Sequence, residues 1–517
     1  MKVEKESTRS QNSIKNATIS LVYYFISSIF TFVMRIALIR YIGIEYAGLN
    51  SLLTNIIGVL NIAELGLSTA IGYSLYKPLA DGDHEKINEI LCLYKYLYRI
   101  IAVVVAVIGI FITIFINHFV NTTIPMSEVR ISFILYLIAT VVSYLLTFLT
   151  VLPSADQKNY FVVKIQNDGK IIKNILQLIA ISVLKNFYAW VIIEIGANIV
   201  IYMYTNYKTK KMYTWYKSSK GKFKELLKKY KDIVKTTKDT AFHRIGGLVV
   251  YQTDTILISY FCNLTDSGIY SNYMLIYSLL TGLVEQAFIG ITASIGNFII
   301  EKKPKEVYNI WKEMYIVMCF VTVLFGFLFY QLANPFVGVV FGNDLTLSSV
   351  VVFGIALNIM FRVIKNPIDK FKEAYGIFWD RYSPIVESII NLVVSVALAF
   401  KFGILGIVLG TVASNIAITM LWKPYVIFKY IFKEKLSKFF LITLKYTAIG
   451  LVGSGMSYAF IKLLNMSTEY TIVNLIKLFA VNGIISFIVI LGCFLIDKQF
   501  RESMKKYCNV AIRMVKK

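Results

Sequence analysis

Stretches of about 20 apolar residues, each long enough to cross a bilayer as a helix, recur along nearly the whole of this 517-residue chain. Nothing constrains its fold more. Inside lipid the backbone must satisfy its own hydrogen bonds, and runs of this length do so as helices rather than as barrel strands. Only 16% of the residues are charged against 57% hydrophobic, well below the roughly 25% charged content of soluble domains. The chain therefore reads as an all-α polytopic membrane protein. No cleavable leader is expected: residues 1–16 are polar, and the first apolar run is long enough to span and lacks a small-residue cleavage site. Cys92, Cys262, Cys319, Cys493 and Cys508 form no CxxC pair, so free thiols are expected rather than a disulfide or metal framework.

Fourteen helices are expected, near residues 17–41, 48–76, 93–117, 130–152, 161–184, 187–207, 241–261, 269–300, 310–331, 346–366, 382–401, 403–422, 438–463 and 471–496. Lys and Arg gather on every second connection, which puts both termini on the cytoplasmic side. The expected divisions are a cytoplasmic N-terminus (1–16), a first bundle (17–207), a basic linker (208–240), a second bundle (241–430), two further spans (431–497) and a basic tail (498–517). The 208–238 stretch holds twelve lysines, and its Phe223, Leu226, Leu227, Tyr230 and Ile233 fall on one helical face. An amphipathic helix lying on an anionic inner leaflet is the expected form. The net charge of +24 then reflects topology, and no nucleic-acid partner is called for.

The chain also repeats itself. Gly66-Leu67-Ser68-Thr69-Ala70-Ile71-Gly72 is echoed by Gly290-Ile291-Thr292-Ala293-Ser294-Ile295-Gly296, and each follows a helix entered by a Gly-x-x-Ser turn, Gly48 to Ser51 and Gly268 to Ser271. Aligning the copies sets Arg35 over Asp254, so opposite charges occupy matching places. Thr54, Asn61 and Ser68 align with Ser278, Glu285 and Thr292, each set spaced by seven and forming one polar stripe, with Glu64 joining the first. A polar stripe on a membrane helix must face protein or a watery cavity. Two matched bundles around a site are the build of a transporter that works by rocking.

Pro384-Ile385-Val386-Glu387-Ser388-Ile389-Ile390-Asn391, then Phe402-Gly403-Ile404-Leu405-Gly406, then Trp422-Lys423-Pro424 resemble the eleventh and twelfth helices of the polysaccharide-repeat (Wzx-type) flippases of the MOP exporter superfamily. The lipid II flippases and MATE drug exporters are relatives of that family. The resemblance spans residues 15 to 430. It implies a MOP/MATE-like fold of two homologous six-helix bundles plus two C-terminal helices. It also implies no catalytic activity, and a cargo of undecaprenyl-pyrophosphate-linked oligosaccharide turned from the inner to the outer leaflet by alternating access. Membrane lipids and other polysaccharide-assembly proteins would be partners, and a proton or sodium gradient the coupling source, with no bound cofactor or metal.

Which side chains could handle such a cargo follows from chemistry. Arg35 is the first candidate for phosphate, because a guanidinium stays charged in low dielectric and grips oxygens in a fork. A structural pair with Asp254 or Glu64 is the competing reading. Arg244 and Arg362 could receive pyrophosphate at the inner mouth or serve as interfacial anchors. Asn61, Glu64, Asp168 and Glu285 are candidates for the sugar cavity, Asp168 being four residues from Lys164 and able to pair with it. Asp254 and His243, eleven residues apart and on one face, are candidates for coupling or gating. MATE-like efflux of small molecules is the alternative function, kept open by these carboxylates. A membrane polysaccharide-assembly enzyme would need a catalytic constellation that three histidines and short outer loops do not supply.

Overall fold

The computed structural model describes residues 9–64, 66–217, 221–233, 237, 252–299, 302–375, 377, 380, 382–464 and 471–515. The described residues form helices joined by short turns and loops, and ten of the helices are long and apolar enough to cross a membrane. The chain divides into two compact units, Met1–Ser271 and Asn272–Lys517.

The first unit is built from α1 (Arg9–Tyr41), α2 (Ile44–Leu60), α3 (Leu67–Asp81), α4 (His84–Phe115), α5 (Met126–Ala155), α6 (Asn159–Leu184), α7 (Phe187–Met212) and a short α8 (Phe223–Lys229). Residues 252–261 are helical too. The expected second span, 48–76, is two helices and not one. Asn61–Glu64 tighten into a 3-10 turn, and Gly66 then takes a left-handed conformation at φ +86°, starting α3 in a new direction. A side chain rarely adopts that φ, so the break depends on glycine. The repeat is unequal here, because the backbone of residues 290–296 runs straight through α9 (Leu264–Ile299).

Where the two copies of the Gly-x-x-Ser turn meet, they touch reciprocally. A Cβ on Gly48 would lie 1.9 Å from the Leu264 carbonyl oxygen, and one on Gly268 would lie 2.6 Å from that of Ile44. Each glycine faces the residue four before the other, the self-complementary pattern of a local two-fold. Small residues let backbones approach this closely in membrane proteins. The 121–124 loop seals the same end. Asn121 donates its backbone N–H to Ser259 O at 3.2 Å and its side-chain amide to Cys262 O at 2.8 Å. Thr122 and Thr123 hydroxyls donate to the Glu45 carboxylate at 2.7 and 2.6 Å.

The linker helix corrects one expectation. Leu226, Tyr230 and Ile233 are buried in the first unit's core rather than turned to lipid. Lys229 and Tyr230 both hold Glu89 of α4, at 2.6 and 2.5 Å. The apolar face is the one read from the sequence; protein covers it.

In the second unit, α9 is followed by α10 (Pro304–Val340), α11 (Ser349–Ile364), α12 (Asn366–Ala374), α13 (Ser383–Phe402), α14 (Ile404–Phe432), α15 (Ser437–Leu463), α16 (Ile472–Ile496) and α17 (Lys498–Val515). Its core is aromatic. Trp311 stacks on Tyr315 at 4.8 Å and meets Phe428 edge-on at 5.1 Å, contacts worth about 0.5–1.5 kcal/mol each beyond burial. The Gly-rich pattern at 403–410 packs α13 against α14 as expected: a Cβ on Gly410 would sit 2.0 Å from Ser395 Oγ. Within α14 the winding widens to π-helix at Ile416–Trp422 and Ile427–Phe432, around Pro424.

The last two spans show the inside-out logic of a membrane protein. Large apolar side chains such as Leu444, Leu451, Ile476 and Ile496 are exposed on them, where lipid takes the place of water. At the end of α16 Asp497 accepts from Tyr446 Oη at 2.6 Å and from the Phe500 amide at 3.0 Å, and pairs with Lys445. Burial pushes the Asp497 carboxyl up, but the Lys445 and Tyr446 bonds outweigh it and hold it below the usual range. That anchorage is present above the ordinary Asp pKa and is lost as pH falls through the lowered one.

Candidate functional site

The break after Asn61 has a consequence for packing. It turns Asn61, Glu64 and Ser68 towards α4 and α5, where they line a cavity of about 600 Å³ inside the first unit. Tyr94 and Tyr98, four apart on one face of α4, close one wall. Ser143, Tyr144, Thr147, Thr150 and Ser154 of α5 supply another, with Gln166 of α6 and Tyr202 of α7 completing it.

Hydrogen bonds order this lining. The Tyr98 hydroxyl donates to Glu64 Oε1, and Ser68 Oγ donates to the same oxygen at 3.2 Å. Tyr94 Oη lies 2.9 Å from both Ser68 Oγ and Tyr98 Oη. Tyr144 donates to Asn61 Oδ1 at 2.6 Å. The rings brace one another edge-on, with centroids 4.5 Å apart for Tyr94–Tyr98 and 5.7 Å for Tyr98–Tyr144. Among the described residues that line it, none is Lys or Arg. The result is a polar, hydroxyl-rich cavity with one carboxylate among its described lining residues, set in a predominantly apolar helix bundle. Such a chamber is costly in a membrane protein and marks a pathway or a binding site.

The structure therefore brings Asn61, Glu64 and Ser68 together but leaves Thr54 exposed, bonded to its own helix at Asn50 O. The other candidates lie elsewhere. Arg35 is buried and donates to Ala47 O at 2.7 Å, Gly268 O at 2.7 Å and Ser51 Oγ at 3.1 Å. The guanidinium expected to grip phosphate here staples α1 to both copies of the glycine turn. Asp254, its counterpart in the repeat, is buried and accepts from Tyr270 Oη at 3.1 Å. Asp168 is exposed and takes the Tyr23 hydroxyl, with no ion pair to Lys164. Glu285 pairs with Arg362, Nε at 2.7 Å and Nη2 at 2.5 Å from one oxygen, so two separate candidates are partners in the second unit. His243 and Arg244 lie outside the described residues.

Sequence reasoning missed two polar networks. In the first unit Glu194 of α7 pairs with Lys173 of α6 at 2.7 Å and accepts from Gln177 and Asn198 at 3.0 Å each. In the second unit Lys423 reaches Asp369 at 2.7 Å, while Asp380 accepts from Trp422 Nε1 at 2.7 Å and pairs with Lys372. The Trp422-Lys423-Pro424 pattern thus locks α14 to the segment after α11. The tyrosines of the cavity were also missed, although the Tyr94–Tyr98 spacing was a usable signal.

Comparisons with known proteins agree with this architecture. Residues 13–289 match the family described as polysaccharide biosynthesis protein. Among solved structures, the lipid II flippase MurJ in an inward closed conformation superposes with a TM-score of 0.69 at 13% identity, over 91% of this chain and 97% of that one. An inward-facing multidrug resistance MATE family transporter of the MOP superfamily gives 0.60 at 12%, over 82% and 99%. The eukaryotic MATE transporter AtDTX14 gives 0.57 at 12%, over 86% and 99%. At such identities the likeness concerns the fold. No curated protein matches the sequence significantly.

Proposed function

Since this chain belongs to the polysaccharide biosynthesis protein family and has the fold of MOP-superfamily transporters, we propose that it is a flippase for undecaprenyl-pyrophosphate-linked oligosaccharide repeat units. It moves them from the inner to the outer leaflet of a bacterial cytoplasmic membrane by alternating access, for O-antigen, capsule or exopolysaccharide. The observation that carries this reading is the hydroxyl-lined cavity within a membrane bundle. A glycan head cannot cross about 30 Å of hydrocarbon unaided, whereas its polyprenyl tail is at home there. A polar chamber in an otherwise apolar bundle meets the first requirement and lets the second take care of itself.

Orientation adds direction. With the termini cytoplasmic, as the Lys and Arg distribution requires, the Gly48–Gly268 contact closes the outer end. The cavity then lies on the inner side of that seal, where a cytoplasmically assembled cargo arrives. Arg35, Arg244 and Arg362 remain the candidates for pyrophosphate, which at Arg362 must displace the Glu285 carboxylate. His243 and Asp254 are proposed for coupling to a proton or sodium gradient.

Deletion of the gene followed by extraction of polyprenyl lipids tests the function. Accumulation of completed lipid-linked repeat with loss of surface polymer is expected. Normal surface polymer together with altered drug resistance would replace this reading with MATE-like efflux.

A further inference from the structure

We propose that the cavity of the first unit is a saccharide subsite: it binds one uncharged sugar residue of the cargo and leaves the pyrophosphate to be held elsewhere. The assignment rests on the flippase reading above and specifies which part of the cargo this chamber recognises.

Charge excludes the phosphate. Among the described lining residues none is Lys or Arg and one is the Glu64 carboxylate, so a pyrophosphate with its two negative charges would meet that carboxylate's repulsion with no cation from these residues to offset it. Composition favours a sugar. Asn61, Thr147 and Gln166 present neutral donors and acceptors, and the Ser68, Ser143 and Thr150 hydroxyls, whose protons go to Glu64 Oε1, Thr140 O and Thr147 O, present acceptors, together the complement of a ring of hydroxyls that both donate and accept. Glu64 is set for this task. Its Oε1 is held by Tyr98 and Ser68, and no described residue donates to Oε2. With the carboxylate fixed through Oε1 and the residue lining the cavity, Oε2 is left to accept a sugar hydroxyl in a charge-assisted bond.

Shape points the same way. At about 600 Å³ the cavity falls in the ordinary range of small-molecule sites, with room for a sugar ring and ordered water. Tyr73 and Tyr76 line it with half or more of their surface exposed and their rings edge to face at 5.6 Å. They offer apolar faces for the C–H side of a pyranose. A small organic cation is the competing occupant, since a carboxylate among tyrosines also suits positive charge. The many neutral hydrogen-bonding groups, which a compact cation could not use, favour the sugar.

Gly72 supplies a clean test. It lines the cavity, sits inside α3, and a Cβ built on it meets nothing within 4 Å. Gly72→Phe should project a ring into the cavity without breaking the helix, because Phe costs less in a helix than glycine does. Saturation-transfer NMR on the full-length protein in nanodiscs would use methyl β-glucopyranoside, methyl β-galactopyranoside and methyl N-acetyl-β-glucosaminide as probes, with tetramethylammonium and inorganic pyrophosphate as comparators. At least one glycoside should bind saturably. Gly72→Phe should weaken it by about tenfold or more at unchanged thermal stability, and Glu64→Gln by about tenfold through loss of one charge-assisted bond. The proposal is overturned if no glycoside binds saturably, if Gly72→Phe folds and binds as well as the parent, or if tetramethylammonium or pyrophosphate displaces the glycoside. The two readings fail separately. Glycoside binding with normal polymer in the deletion strain would sink the flippase and spare the subsite, whereas lipid-linked repeat accumulating without glycoside binding would do the reverse.

Discussion

Gly48→Ala is expected to destabilise the first unit by about 3 kcal/mol or more, at or beyond the upper end for overpacking. The added methyl would lie 1.9 Å from the Leu264 carbonyl oxygen, 2.9 Å from its carbon and 3.1 Å from Gly268 N. These are backbone atoms and cannot rotate aside. The crossing must open by more than an ångström, which also pulls Ala47 O and Gly268 O away from the Arg35 guanidinium that bridges them. Gly268→Ala should behave alike, since its own Cβ would lie 2.6 Å from Ile44 O. Gly72→Ala is the control: it meets open space and should be neutral or gain up to about 1 kcal/mol. Thermal unfolding followed by size-exclusion fluorescence separates the cases. Equal melting of Gly48→Ala and Gly72→Ala would mean that the close crossing is not part of the folded state.

Arg35→Met carries the second large effect, about 1–3 kcal/mol for each of the two buried carbonyls, Ala47 O and Gly268 O, that lose its guanidinium as a donor. Met fills much of the volume, so the loss isolates the hydrogen bonds to Ala47 O, Gly268 O and Ser51 Oγ. Charge-assisted bonds of this kind contribute about 1.5–3 kcal/mol each. Arg35→Lys should recover part of it, because an ammonium keeps the charge but cannot span carbonyls on two chain segments as a fork does. The same pair of variants weighs the staple against the phosphate role. If Arg35→Lys folds as the parent does and yet abolishes polymer export, Arg35 works on the cargo; if export follows stability in both variants, it works on the fold.

What could be read from the sequence depended on the range of the interaction. Spans were legible because a bilayer imposes its thickness on each helix separately, so the apolar run is a local record. The glycine turns were legible for a related reason: a repeat preserves positions that packing uses, and Gly48 and Gly268 are where the two copies touch. The break at Gly66 was hidden. Gly72 and Gly290 also lie in apolar helices and stay helical, and only tertiary context separates a glycine that bends from one that does not. Arg35 was legible as a buried charge but not as a staple, because the two partners it reaches at 2.7 Å are backbone carbonyls, which leave no mark in the residue types. The linker shows the same ambiguity from another side. Its apolar stripe has one appearance whether lipid or α4 covers it, and contact with Glu89 decides the matter. The cavity was half legible: Asn61 and Glu64 stood out as polar groups in a span, but the tyrosines that complete it come from α3, α4, α5 and α7 and looked like interfacial aromatics.

The central claim is that this chain carries a glycan head across the membrane while its lipid tail stays in the bilayer. Its most direct test is reconstitution of the purified protein into liposomes holding an undecaprenyl-pyrophosphate-linked oligosaccharide, with the accessible glycan removed at intervals by a membrane-impermeant glycosidase. The account predicts that, under an imposed proton or sodium gradient, glycan from the inner leaflet becomes cleavable with the parent protein and stays protected with well-folded Gly72→Phe. Protection that persists with the parent under both gradients, or cleavage that is the same for parent and Gly72→Phe, would contradict it.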